Sequence, residues 1–325
     1  MPALTCDRAP PTDGHDPAPT FEQLAVIGCG LMGGSFALAL KAAGLVQRVV
    51  GYARSPQTLA RARALGVIDV EAPSALLAAS GADLVLVSVP VAATGDTLRA
   101  IRPLIGPSTL VMDVGSTKGD VVAAARDALG ERLAQFVPAH PIAGKERAGV
   151  EHASADLYRG CQVILTPVPE TDPALLARAR ALWQALGARV RTLSPEEHDA
   201  AYAAVSHLPH LLAFAAVRAL AQQPGGAQYL SLAGPGFRDF TRIAASDPDV
   251  WRDILLANAA QVREQARHFR AALDTFEATL ARGDAQTLHD LIADASRTRT
   301  RWAAGAYAVA TETPCTEPPS STSPR

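Results

Sequence analysis

The chain is poor in cysteine, in net charge and in long apolar runs, and each shortage excludes something. Only four of its 325 residues are cysteine: Cys6, Cys29, Cys161 and Cys315. None sits in a CxxC or Cys/His ligand spacing, so neither a structural zinc nor a disulfide framework is expected, and all four read as free thiols. Lysine and arginine number 30 against 32 acidic residues, a net charge of -2. That balance offers no broad attraction to nucleic acid or to anionic lipid. No apolar run is expected to reach the roughly 18 residues of a membrane span. The first twenty residues lack both an apolar core and a basic lead-in, so no secretory signal is expected. A cytoplasmic location follows by elimination.

What remains is the composition of a globular protein, 48% hydrophobic and 19% charged, long enough for two domains. Residues 1–20, rich in Pro, Ala and Asp, and the Ser/Thr/Pro segment 311–325 read as disordered tails. Between them the pattern changes once. Over residues 21–193, short β-rich runs alternate with helical stretches: 24–27, 48–52, 84–89, 110–114, 136–138, 163–166 and 189–193. Apolar runs flanked by helices indicate a doubly wound parallel sheet covered on both faces. Over residues 194–310 strand signals vanish, and stretches such as 195–220 and 251–280 repeat apolar residues at helical spacing. Ser194-Pro195 fits a helix start, with serine as N-cap and proline in the first position. The expectation is α/β followed by all-α: a Rossmann-like dinucleotide-binding domain, then a helical domain. The helices of the second half are apolar on more than one side, so a second copy of the chain should cover them as a homodimer.

Gly28-Cys29-Gly30-Leu31-Met32-Gly33 is a G-x-G-x-x-G placed directly after a strand and at the opening of a helix. The first glycine allows the turn, the second lets a pyrophosphate approach the helix N-terminus, and the third lets helix and strand pack closely. In that setting the motif is strong evidence for NAD or NADP. An acidic residue about 20 positions on would bind the ribose of NAD. Ala53-Arg54-Ser55 stands there instead. Arg54 and Ser55 suit a 2′-phosphate, so the reading leans to NADP or to dual use. Ser88-Val89-Pro90 and Asp113–Ser116 end strands where an open α/β sheet binds ligands.

Two further strand ends and two helical segments carry polar residues that a core would not need: 113–119, 139–146, 206–210 and 234–251. His207 and His210 lie three apart and share a helix face. Pro209 removes an amide donor, frees the Val205 carbonyl and should kink the helix. The ordered series GCGLMGGS, SVP, DVGSTKG, AHPIAGKE, VSHLPHLLA and GFRDFTRIAASDPDVW resembles the prephenate/arogenate dehydrogenase family across nearly the whole ordered chain.

The resemblance implies oxidation and decarboxylation of a cyclohexadienyl substrate on the route to tyrosine. By that likeness His140 is the proton acceptor and Ser116 hydrogen-bonds substrate and histidine. Arg242 grips a substrate carboxylate. Ser206, His207 and His210 lie on the substrate-facing helix segment, Glu146 and Lys145 flank the histidine loop, and Trp251 stands near the pocket mouth. The resemblance implies no metal, and it makes inhibition by tyrosine plausible on product likeness. It leaves prephenate and arogenate unseparated.

Each residue also has a plainer reading. His140 could be a turn histidine, Ser116 the cap of a helix beginning near Thr117, and Arg242 the partner of Asp239 or Asp247. Glu146 could pair on the surface, and Trp251 could be core or dimer interface. Of the other histidines, His198 beside Asp199 near the domain junction stands out. A β-hydroxyacid dehydrogenase or imine reductase shares the two-part plan but tends to use a lysine on the first interdomain helix, where this chain has none. A silent NADP-sensing protein would have no reason to hold Ser116, His140 and Arg242 together.

Overall fold

A computed structural model describes residues 20–144 and 147–306. The two tail segments, Cys6, Cys315, Lys145 and Glu146 lie outside the described residues, apart from Thr20 at the edge of the first tail and 20 residues into the chain.

The first part of the chain runs β1 (Phe21–Ile27), α1 (Leu31–Ala42), β2 (Val46–Tyr52), α2 (Pro56–Ala64), β3 (Val70–Glu71), α3 (Ala75–Ala78), β4 (Leu84–Val87), α4 (Thr94–Ile101), β5 (Leu110–Asp113), α5 (Gly119–Leu129) and β6 (Phe136–Val137). Its six strands form one parallel sheet in the order β3-β2-β1-β4-β5-β6. Alternate residues of the central strands feed two cores. Leu24, Val26, Leu84, Leu86, Leu110 and Met112 pack with Phe36, Leu40 and Trp183 on one face. Ala25, Ile27, Val85, Val87 and Val111 pack with Leu98, Ile101 and Val121 on the other. Burial on both faces is why these strands read as unbroken apolar runs. The strand order reverses between β1 and β4, which leaves a crevice beyond their carboxyl ends.

The last two β-rich runs do not join this sheet, which corrects the expectation of a single one. β7 (Ala139–Ile142), β8 (Gln162–Leu165) and β9 (Arg189–Thr192), with α6 (Pro173–Ala185) between the last two, form a separate three-stranded sheet. β7 pairs antiparallel to β8, and β8 parallel to β9. Pro138, which separates β6 from β7, has no amide proton to continue a ladder. The short β3 carried too few residues to register as a run.

The rest of the described chain is helical: α7 (Pro195–Tyr202), α8 (Leu208–Gln222), α9 (Gly226–Ser231), α10 (Pro235–Thr241), α11 (Pro248–Ala257), α12 (Ala259–Arg282) and α13 (Ala285–Ala303). Ser194 caps α7 in a capping box with Glu197, and Pro195 fills the first turn. Residues 203–207 form a π-helical turn that joins α7 to α8. The expected single helix over 251–280 breaks at Asn258, whose φ of -107° and ψ of 28° end α11.

Residues Pro195–Gln222 make a continuous 28-residue helical stretch that is long and apolar enough to cross a membrane by length and composition. The expectation that no segment reaches that threshold is corrected here. Only 28% of its most apolar window is buried, yet the stretch buries His198, Asp199 and His207 at the junction with the first domain. Polar groups bonded to another domain's backbone tie it to the protein interior. Large apolar side chains elsewhere in the helical half stand open, among them Leu232, Leu256 and Leu280.

Candidate active site

The glycine loop fills the crevice edge at β1. Gly28 has φ +104°, and a Cβ there would lie 2.0 Å from the Ser88 carbonyl oxygen. A Cβ on Gly33 would lie 2.3 Å from the Gly28 oxygen, so the helix rests directly on the turn. Gly30 is different, because nothing lies within 4 Å of its virtual Cβ. That open side borders a cleft of about 400 Å³ lined by Gly30, Leu31, Met32, Ser88, Val89 and Pro90 from the first domain. Ser246, Asp247, Val250 and Trp251 line it from the helical side. No side chain caps the start of α1, so its first amides remain available to an anion, as a nucleotide pyrophosphate requires. The residues present fit a dinucleotide.

Arg54 and Ser55 lie exposed beyond the end of β2. Ser55 is already engaged: its hydroxyl caps α2 by accepting the Thr58 amide at 3.3 Å. The hydroxyl proton is still available for donation. Cys29, between the glycines, is buried, and burial pushes its thiol up to about 12. It is an inert packing group.

At the far side of the crevice a polar chain crosses the domain junction. His140, on β7, has its Nδ1 2.8 Å from His198 Nε2. His198 Nδ1 is 2.8 Å from Asp199 Oδ1. The Asp199 carboxylate also accepts the Lys118 amide at Oδ1 and the Gly119 amide at Oδ2, both at 2.8 Å. These two amides open α5, so Asp199 caps a helix of the other domain, and Ser116 does not cap it. Tyr202 closes the chain from above, its ring centroid 4.9 Å from that of His140 and 4.5 Å from that of His198.

Lys118 and Asp113 are fully committed beneath this chain. The Lys118 ammonium pairs with Asp113 and donates to the Ala139 carbonyl at 2.9 Å. Asp113 also accepts the Ala139 and Gly115 amides. Asp113 therefore shapes the loop on which Ser116 sits and does not itself line the cleft.

The electrostatics favour neutral rings. Burial drives the proton affinity of His140 far below the ordinary histidine value, and the neighbouring His198 ring, the Lys118 ammonium and the His207 ring oppose a further positive charge there. Burial also lowers His198, against the opposing pull of Asp199. For Asp199, burial alone would raise the pKa, but the hydrogen bonds from His198, Gly119 and Lys118 outweigh it and the net shift is downward. Asp199 is thus a carboxylate.

On the helical side, Asn258 donates from its amide nitrogen to the Asp199 carbonyl at 2.8 Å and to His207 Nδ1 at 3.1 Å. His207 is buried, and burial takes it down to about 4, opposed by Asp199 and by the Ser116 carbonyl. Its ring connects the helical domain to the Ser116 loop. His210 is more open. Its Nδ1 donates to the Ser206 carbonyl at 2.9 Å, and its face stacks on Trp251 with centroids 3.5 Å apart and planes 19° apart. Burial lowers the proton affinity of His210, with Arg242 adding to the effect against the Ser206 hydrogen bond. Arg242 itself is exposed at the turn that follows α10. In place of a simple proline kink, the helix widens into the π-turn just before Pro209, an irregularity common at functional sites.

The fold therefore links His140 and the Ser116 backbone to His207, His207 to His210, and His210 to Ser206 and Arg242, while Glu146 lies outside the described residues. His140, Ser116 and Arg242 do not line the dinucleotide cleft directly. They connect to it through Val114, near Ser116 in the chain, and through Trp251, whose ring is 6.2 Å from that of His207. Sequence reasoning named Asp199 only as the neighbour of His198 and Lys118 only within DVGSTKG, and it missed Asn258 and Tyr202 as members of the junction. Asn258 was recoverable only as a polar residue inside an otherwise helical pattern, and Tyr202 carried no sequence signal of its own.

Comparison with known proteins agrees across both halves. Residues 36–192 match the family description "Prephenate dehydrogenase, nucleotide-binding domain", and residues 194–294 match "Prephenate dehydrogenase, dimerization domain". The chain is 34% identical to a cyclohexadienyl dehydrogenase of Zymomonas mobilis, covering 86% of this chain and 95% of that one. It is 35% identical to a prephenate dehydrogenase of Bacillus subtilis, over 82% of this chain and 72% of the relative. A crystal structure of prephenate dehydrogenase from A. aeolicus with hydroxyphenyl propionate and NAD+ superposes with a TM-score of 0.81 at 35% identity, covering 86% and 98% of the two chains.

Proposed function

Because the chain belongs to the prephenate dehydrogenase family, we propose that it converts prephenate to 4-hydroxyphenylpyruvate and CO2 with NAD or NADP as oxidant. One observation carries the reading. A cleft fit for a dinucleotide, walled by Trp251, leads through the Trp251–His210 stack to His207 beside the neutral His140, with Arg242 close enough to His210 to lower its proton affinity.

Prephenate carries a hydroxyl on C4 of a cyclohexadiene ring and a carboxylate across the ring on C1. A bound nicotinamide supplies the hydride acceptor. His140 takes the hydroxyl proton at Nε2, the ring nitrogen not engaged by His198. The O–H pair becomes the developing carbonyl, and the C1–carboxylate pair flows into the ring as CO2 leaves, which makes the ring aromatic. Ser116 holds the hydroxyl in line, with its loop braced by His207. His210 and Ser206 border the ring, and Arg242 binds a carboxylate through its planar fork. In this reading Glu146, which flanks the histidine loop in the sequence, takes part in binding the substrate.

The relative named cyclohexadienyl dehydrogenase keeps arogenate, with an amino group in place of the side-chain keto group, as the second substrate. Arg54 beyond β2, with no carboxylate beside it, supports NADP or dual use. The open apolar faces of the helical half, which matches a dimerization domain, support a homodimer with domains at 21–193 and 194–310. Tyrosine, which resembles the product, would inhibit by occupying the same pocket.

The test is direct. The purified protein is mixed with prephenate or arogenate and with NAD or NADP, and formation of reduced nicotinamide is followed by absorbance. Reduction with prephenate is expected, and none with either substrate would reject the reading. In His140→Asn, turnover should fall by about 10²–10⁴-fold with cofactor affinity nearly unchanged.

A further inference from the structure

The direction of every hydrogen bond from Asp199 outward is set by chemistry. The Lys118 and Gly119 amides have only a proton to give, so both Asp199 oxygens accept. Asp199 Oδ1, an ionised oxygen, then accepts from His198 Nδ1–H as well. A neutral imidazole with its proton on Nδ1 has a lone pair on Nε2. The atom 2.8 Å from that lone pair is His140 Nδ1, so His140 must carry its proton on Nδ1. Its Nε2 is left as a bare acceptor.

We propose that His198 and Asp199 are positioning residues for His140: they fix its proton on Nδ1, present Nε2 to the substrate hydroxyl, and receive the charge that the reaction creates. The proposal rests on the reading of His140 as the proton acceptor. The step balances without any further reactant. The substrate O–H breaks as His140 Nε2–H forms. His140 Nδ1–H then passes to His198 Nε2, and the resulting His198 imidazolium lies against the Asp199 carboxylate. As CO2 leaves and the ring becomes aromatic, the carbonyl oxygen takes up the electron pair, and the proton returns from His198 through His140 Nε2–H to that oxygen as the phenol.

The surroundings favour charge on His198 over charge on His140. Lys118 faces His140 with positive charge, and among the described residues no carboxylate is hydrogen-bonded to that ring. His198 feels Lys118 too, but Asp199 and Asp113 oppose it. The arrangement also spans the junction, because Asp199 caps α5 of the dinucleotide domain while His198 and Asp199 belong to α7 of the helical domain. The base is therefore set correctly only when the two domains are docked.

The first test needs neither substrate nor variant kinetics. In protein labelled with ¹⁵N-histidine, long-range ¹⁵N–¹H spectra at neutral pH report the tautomer of each ring, with His140→Asn and His198→Gln used for assignment. Both His140 and His198 are expected as Nδ1–H tautomers. A His140 ring protonated on Nε2 would overturn the proposal, whatever the substrate proves to be. Inactivity of the wild type on every substrate would instead reject the functional reading and leave the tautomer result standing.

Kinetics give the second test. Gln at position 198 can still accept from His140 Nδ1–H through its side-chain oxygen but cannot take up a proton, whereas Phe does neither. H198F is expected to lower kcat by about 10²–10³-fold, and H198Q by about tenfold, with KM within about threefold of wild type in both. A purely structural role would lower stability in both variants without that ranking. Equal kcat in H198F and wild type would reject the relay.

Discussion

Asp199 Oδ2 accepts the Gly119 amide at 2.8 Å across a separation of 80 residues, so the first helix of one domain caps the fifth helix of the other. Replacing Asp199 by Ala removes this cap and the Lys118 contact, and it leaves the buried His198 Nδ1–H without an acceptor. A cap is worth about 1 kcal/mol and a stranded buried donor about 1–3 kcal/mol. Asp199→Ala is expected to lose about 2–4 kcal/mol of stability in urea unfolding, with no change of fold by circular dichroism. A loss below about 0.5 kcal/mol would mean that the junction does not depend on this carboxylate.

Four histidines, His140, His198, His207 and His210, have proton affinities lowered mainly by burial. As pH falls below the ordinary value of 6.5, the unfolded chain binds protons that the folded chain refuses. Their stabilising contribution is therefore complete above 6.5 and is lost as pH falls toward the folded values, which for His207 is about 4. His207 alone accounts for up to about 3 kcal/mol over that window. Unfolding midpoints measured from pH 7 to pH 4, read at about half-unit steps, should fall steadily, and His207→Gln should flatten the fall. Stability that rises on acidification through this window would contradict the assignment.

The three glycines of the loop separate folding from binding. Gly30 has room for a Cβ on the protein side and an ordinary φ of -89°, so Gly30→Ala should keep the melting temperature of wild type. The added methyl would stand where a pyrophosphate approaches, and dinucleotide affinity should fall by at least about tenfold. Gly28→Ala combines positive φ with a Cβ 2.0 Å from the Ser88 oxygen, and it should destabilise the domain by about 2 kcal/mol or more. Calorimetry of both variants, with and without nucleotide, decides the matter. Equal nucleotide affinity in Gly30→Ala and wild type would move the binding groove elsewhere.

Arg54 tests the choice of nucleotide. A charge-assisted hydrogen bond to a 2′-phosphate is worth about 1.5–3 kcal/mol. Arg54→Ala should therefore raise KM for NADP by about 10–100-fold and leave KM for NAD within about twofold. Equal effects on the two cofactors would make Arg54 a solvated surface charge.

Much of this was legible in the chain, and the reasons are local. Strand β1, the glycine loop and α1 follow one another within about 20 residues, so hydrophobic period and turn chemistry suffice to read them. The same holds for the Ser194 capping box and for the helical second half. The separate sheet of β7, β8 and β9 was not legible, because an apolar run is the same string whichever neighbour it pairs with. Asn258 looked like one more helical residue, and its break appears only once its amide reaches His207 and the Asp199 carbonyl.

By itself the sequence determined the alternation of elements, the dinucleotide loop, and the presence of His140, Ser116 and Arg242 at the positions where the proposed chemistry would be carried out. Tertiary structure decided which groups those residues answer to. His198 and Asp199 are adjacent in the chain, yet their partners are 58 and 80 residues away. Hydrogen-bond direction, burial and the docking of two domains are properties of spatial neighbours, and no local pattern encodes them.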